Sequence, residues 1–196
     1  MHWIVNDDIY ETLSTVHLHS VSRPLEWAVD DPKTDSRMYA DFPASLLDKM
    51  ESDDLLLHAH NWVVKTDLYK EKPQVADFFE ILATDEYEGE EFVIAAQGKQ
   101  YPIYAIMHHP ETQNSRSFNQ FSDFLKGKVN TQTTDAINFY YANFLHQEAK
   151  KNLVTHFFKD LDFGRRMSWR NAPVGFTMIA RSAVLTYGLP SADSKK

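Results

Sequence analysis

Met107-His108-His109-Pro110-Glu111 follows directly on an apolar run, Tyr101-Pro102-Ile103-Tyr104-Ala105-Ile106. A histidine and a glutamate two residues apart, at the end of a buried strand, have the types and spacing of a general base and the carboxylate that orients it. Such a pair serves a nucleophile, a thiol or hydroxyl whose proton the imidazole accepts. The chain has no cysteine. Thiol catalysis, thiolate metal sites and disulfides are thereby excluded within these 196 residues.

Other histidines fall in pairs. His17-Leu18-His19 and His58-Ala59-His60 are His-x-His strings, and His108 adjoins His109. On a strand, His-x-His puts both rings on one face, a known ligand spacing. No Asp or Glu is interleaved with them in a recognisable pattern, so no metal ion is expected. No cofactor is indicated either. Only 6 glycines occur, whereas nucleotide-binding and hydrolase α/β domains need Gly where backbone approaches a ligand or takes φ > 0. Trp3, Trp62 and Trp169 are too scattered for a stacking platform.

The elements that must position these residues can be read from periodicity. Ile9, Leu13 and Val16 have helical spacing, which predicts a helix over 8–17. Leu25 to Val29 alternates as a short strand, and Asp30-Asp31-Pro32-Lys33 reads as a turn. Asp41 is placed to cap a helix carrying Pro43, Leu46, Leu47 and Met50. Residues 55–64 predict a strand with a break near His60. Pro73 opens a predicted helix with a Val75/Phe78/Phe79/Leu82 stripe. Residues 92–96 and 103–106 predict two strands joined by a turn containing Gly98, the second central and covered on both faces. Thr134-Asp135 caps the longest predicted helix. Its buried face is Ile137, Tyr140, Tyr141, Phe144 and Leu145, with Lys150-Lys151 at its C-terminus.

Hydrophobic content of 43% and charged content of 24% fit a globular domain with a real core. A net charge of −8, with no basic block beyond Gly164-Arg165-Arg166, argues against nucleic acid or anionic membrane as partner. No transmembrane span is expected. The opening Met1 to Asp8 lacks the regions of a signal peptide, which favours an intracellular place without assigning one.

Several blocks carry a resemblance. Arg37-Met38-Tyr39-Ala40-Asp41-Phe42-Pro43, His60-Asn61-Trp62, Phe78-Phe79-Glu80-Ile81-Leu82-Ala83-Thr84, Tyr101-Pro102-Ile103-Tyr104 running into His109-Pro110-Glu111, and Asn138 to Leu145 occur in order. They resemble gamma-glutamyl hydrolases, of the class I glutamine amidotransferase-like superfamily, over roughly 11–158. The resemblance implies an α/β fold: an incomplete three-layer, flavodoxin-like domain lacking its N-terminal strands, over 1–160. It implies His109 as triad base, Glu111 as its orienting carboxylate and His60 as a further histidine near the glutamyl substrate. In that family a Gly-x-Cys-x-Gly elbow precedes the region. Here Val5-Asn6-Asp7-Asp8-Ile9 occupies its place, with Asp7 or a neighbour where the cysteine would stand and both glycines gone.

The expected function follows from that departure. The chain reads as a catalytically inactive relative whose His60, His109 and Glu111 are vestigial, serving as a structural or interaction subunit. A protein partner or second copy would cover the open sheet edge. The alternative is part of a gamma-glutamyl-peptide (folylpolyglutamate) hydrolase whose nucleophile comes from another chain or a missing segment. Residues 161–196 read as an extension. Phe176, Met178, Ile179, Val184, Leu185 and Tyr187 suit either a wrap at the domain edge or a docking arm, and the tail 191–196 is expected to be disordered.

Overall fold

Val16 and Leu18 are buried while Thr15, His17 and His19 between and beside them face outward. This period of two makes Ser14–Arg23 a strand, β1, where the spacing of Ile9, Leu13 and Val16 had suggested a helix. The β-branched Thr15, Val16 and Val21 favour the extended state, and pairing along the whole segment outweighs the local helical signal. A computed structural model describes residues 13–113, 127, 129 and 131–151. The chain divides into two compact units, Met1–Glu148 and Ala149–Lys196. The proposed elbow at 5–9 and the extension from 161 onward lie outside the described residues.

β1 pairs antiparallel with β3, Leu56–Val63. The expected break near His60 is carried by the partner strand instead. Leu18 pairs with His60 and Val21 with His58, so β1 spends an extra residue there. Ser20 absorbs it at φ 52, a left-handed conformation that makes a bulge. The bulge grips Gly127. Ser20 Oγ accepts from Gly127 N at 3.0 Å and Ser22 Oγ donates to Gly127 O at 2.7 Å. A Cβ on Gly127 would collide with the Ser20 carbonyl.

A second sheet has the order β2-β4-β5-β6, with β2 at Glu26–Trp27, β4 at Phe79–Tyr87, β5 at Glu90–Gly98 and β6 at Tyr104–Ile106. All its pairings are antiparallel. β4 and β5 form a hairpin closed by Glu88 and Gly89, both at positive φ (54° and 81°). Two such residues match the right-handed twist of the flanking strands. This hairpin corrects the helix predicted after Pro73. The helix α4, Pro73–Phe78, stops there, and Phe79 and Leu82 lie in β4, where the long ladder to β5 outweighs their helical spacing. Among the described residues β6 ends the sheet rather than lying centrally, and its residues are only half-buried.

The remaining helices cover this framework. Asp31 caps α1, Pro32–Asp35, by accepting from Lys33 N at 2.9 Å, so the predicted turn continues as one helical turn. α2 spans Ala44–Ser52. Its N-cap is Pro43, not Asp41, and no side chain caps it. α3 spans Asp67–Glu71, α5 Pro110–Gln113 and α6 Gln132–Lys150. Ile137 and Tyr141 are the buried hydrophobics of α6, with Tyr140 and Phe144 partly buried. Leu145 is 68% exposed rather than inward, because it falls past the edge of that stripe.

β5 faces two cores. Phe92 and Ile94 join Leu18, Phe42, Met50, Leu82, Ile137 and Tyr141 in the larger one, while Val93 and Ala96 pack with Leu68, Val75 and Phe79 in the smaller. Helices therefore flank the sheet on both faces, a mixed α/β arrangement. Each fully buried large side chain contributes about 1.5–3 kcal/mol. The two sheets are tied by Arg23 of β1, whose Nε and Nη2 donate to Asp85 of β4 at 2.5 and 2.9 Å. No helix among the described residues is long and apolar enough to cross a membrane.

Candidate functional site

β6 ends at Ile106, and the chain then crosses from one sheet to the other. Met107 N donates to Ile94 O of β5 and His109 N donates to Leu57 O of β3, both at 2.8 Å. Pro110 starts α5, its fixed φ suited to the first helical position. This brings Glu111 back beneath the ring two residues before it. His109 Nδ1 and Glu111 Oε1 are 2.9 Å apart. His109 side chain is 28% exposed and that of Glu111 46%, so the pair sits at the surface.

Burial acts to raise the Glu111 pKa. The hydrogen bond to His109, together with one from the residue's own backbone, outweighs it and holds the carboxyl below its ordinary value. Glu111 is ionised at neutral pH and fixes the His109 ring. An imidazole held by a carboxylate can accept a proton from a nucleophile or a water.

β3 supplies His60. Its ring centroid lies 6.1 Å from that of His109. The three histidine and glutamate positions singled out from the sequence thus come together beside β3. Asp7 lies outside the described residues. His17 and His19 stack on each other at 5.9 Å on β1. No group of His, Cys, Asp and Glu among the described residues could hold a metal ion.

Two further histidines line the inner side. His58 is fully buried, 5.2 Å from His60 between ring centroids and 6.3 Å from Phe92. His108 is 4% exposed, with its ring 5.1 Å from that of Tyr141. Burial, reinforced by the neighbouring imidazoles, lowers the pKa of His58 to about 2 and of His60 to about 4. Burial and His109 lower His108 to about 3, against a smaller opposing effect of Glu111. All three are neutral at pH 7. The His-x-His spacing in β3 signals that His58 and His60 share a face. Nothing in the local sequence signals that His108 turns inward and His109 outward.

Known proteins are similar to this chain in sequence. Gamma-glutamyl hydrolase of Rattus norvegicus is 29% identical over 171 residues, covering 87% of this chain and 50% of that protein. The Mus musculus enzyme is 32% identical over 126 residues, 64% of this chain and 38% of that protein. Gamma-glutamyl hydrolase of Glycine max is 32% identical over 121 residues, 60% and 33%. No family model matches the chain. The chain spans half or less of the length of these curated relatives. It is a relative of the gamma-glutamyl hydrolase family, matched over part of its members' length.

Proposed function

We propose that this chain is a gamma-glutamyl hydrolase-like protein that does not hydrolyse gamma-glutamyl bonds by itself and acts as a structural or interaction subunit. One observation carries the reading. His109 and Glu111 are assembled at 2.9 Å, yet the 196 residues contain no thiol for that base to activate. In thiol acyl transfer the imidazole takes the thiol proton and the thiolate attacks the amide carbonyl. Without a nucleophile the pair retains only general-base action on water, a contribution of about 10²–10⁴-fold that cannot replace the covalent route. His60 and His109 then persist as inherited geometry, and Asp7 or a neighbour marks the elbow position.

The same reading takes 1–160 as part of a three-layer class I glutamine amidotransferase-like domain, supported by helices on both faces of β5. It takes 161–196 as an extension. A protein partner or a second copy is placed along an open strand edge. Among the described residues β2 and β6 end the larger sheet and β1–β3 is a sheet of two strands. Two strands are marginal alone. Native mass spectrometry at micromolar concentration tests this: a complex is expected, and a stable lone monomer contradicts it.

A second reading has its own support. The His109–Glu111 contact is intact and partly exposed, so a cysteine from another chain or from further sequence would have a base to meet, completing a gamma-glutamyl-peptide hydrolase. The native complex, purified from its source and assayed on a poly-gamma-glutamyl peptide, separates the two. Activity abolished by His109→Ala in this chain supports the second reading, and activity absent or unaffected supports the first.

A further inference from the structure

The proposed function leaves the buried imidazoles unused. Residues 107–111 form a strap between the sheets, held to β5 through Met107 N and to β3 through His109 N. His108 sits between these two bonds with its ring inward against Tyr141. From β3, His58 and His60 approach the same place. None of the six ring nitrogens of His58, His60 and His108 has a hydrogen-bond partner among the described residues. A neutral imidazole buried this way leaves one N–H and one lone pair bare, and its charged form would leave two donors bare in the core.

Among the described residues the charged and titratable groups around the cluster are already paired with one another. β1 contributes Arg23, paired with Asp85. The strap and α5 contribute His109 and Glu111, and α6 contributes the Tyr141 hydroxyl, bonded to that of Tyr39 at 3.0 Å. β5 presents the Phe92 ring. Among the described residues Glu111 alone favours charge on His108, and it is already bonded to His109.

We propose that His58, His60 and His108 form an acid-operated latch, in which proton uptake by these rings releases the 107–111 strap from β3 and draws the His109–Glu111 pair away from His60. A released imidazole has the ordinary pKa near 6.5. In place, the three rings take protons only at about 4 or below. The released state therefore binds more protons as pH falls below 6.5, and the latch is closed at pH 7 and above. Opening is local because Met107 N and His109 N each give the strap one backbone bond to a strand, whereas β4 and β5 are joined along a ladder from Phe79↔Gly98 to Tyr87↔Glu90.

Native-state hydrogen exchange of the full chain between pH 7 and pH 5, corrected for intrinsic rates, tests the latch. The opening constants read at the Met107 and His109 amides should rise about 30-fold at pH 5 for each imidazole released, while those of the β4–β5 ladder change far less. His58→Leu and His108→Leu should each remove about one such factor, since leucine cannot take up a proton. If His108→Leu does not fold, His58→Leu and His60→Leu carry the same test. Protection lost equally along the β4–β5 ladder would overturn the proposal. So would leucine variants with an unchanged acid response.

Discussion

His108 and His109 are adjacent in the chain and opposite in surroundings. His109 is at the surface, its Nδ1 held by Glu111 at 2.9 Å. His108 is 4% exposed, flanked by an aromatic ring and two more imidazoles, with neither nitrogen hydrogen-bonded among the described residues. The outer pair is built as an acid–base device would be. The inner cluster is built at a cost to stability, because buried polar groups without partners are expensive. Chemistry and strain are thus separated by one peptide bond. An imidazole can be useful to a reaction only where a partner fixes it and a reactant can reach it.

The sharpest way to break this comparison is to remove the wall behind the inner cluster. Tyr141 touches His108 and Phe42 and shares its hydroxyl with Tyr39. Tyr141→Ala should cost about 3–5 kcal/mol in urea unfolding at pH 7, by loss of a large buried ring. Tyr141→Phe should cost less, about 1–3 kcal/mol, because the Tyr39 hydroxyl stays buried without a partner. If both variants unfold like the parent chain, the inner cluster is not packed as described.

Next in size is a gain. His58→Leu replaces a fully buried ring with no partner by an apolar side chain of similar bulk. Chemical denaturation should show about 1–3 kcal/mol of stabilisation at pH 7, where the ring is neutral and only its bare polar atoms are removed. A destabilised variant would mean that His58 has a partner it needs.

The outer pair should respond least. Glu111→Gln weakens a hydrogen bond to His109 whose members are both partly in water, worth about 0–1 kcal/mol. Its pH dependence separates it from the inner rings. Glu111 has a lowered pKa, so its contribution is present above the ordinary carboxylate value near 4.3 and is lost as pH falls through its folded value. The inner histidines act earlier, from about pH 6.5 downward. A stability profile from pH 7 to 5 should therefore be flatter in His58→Leu than in the parent chain.

Long, strongly periodic segments were legible from residues alone. α6 and its Ile137/Tyr141 face follow from spacing, and β3 and β5 from apolar runs. Where two periods compete, the sequence misleads. Val75, Phe78, Phe79 and Leu82 fit a helix, and only the Glu88-Gly89 turn, with its positive φ angles, shows that Phe79 must begin a strand. Likewise Ile9, Leu13 and Val16 hide the alternation of Val16 and Leu18. At the site, the His109–Glu111 contact follows from type and spacing, while His60 was assigned to it only through the resemblance. The inward turn of His108 was not, because it depends on backbone bonds to Ile94 and Leu57, residues 14 and 51 positions earlier in the chain.

The central claim is that an assembled base and carboxylate do no gamma-glutamyl hydrolysis in a chain without a thiol. The direct measurement is turnover of a poly-gamma-glutamyl peptide by the purified chain and by its His109→Ala variant at the same concentration. The account predicts no turnover above buffer in either. Turnover by the parent chain that disappears in His109→Ala would contradict it.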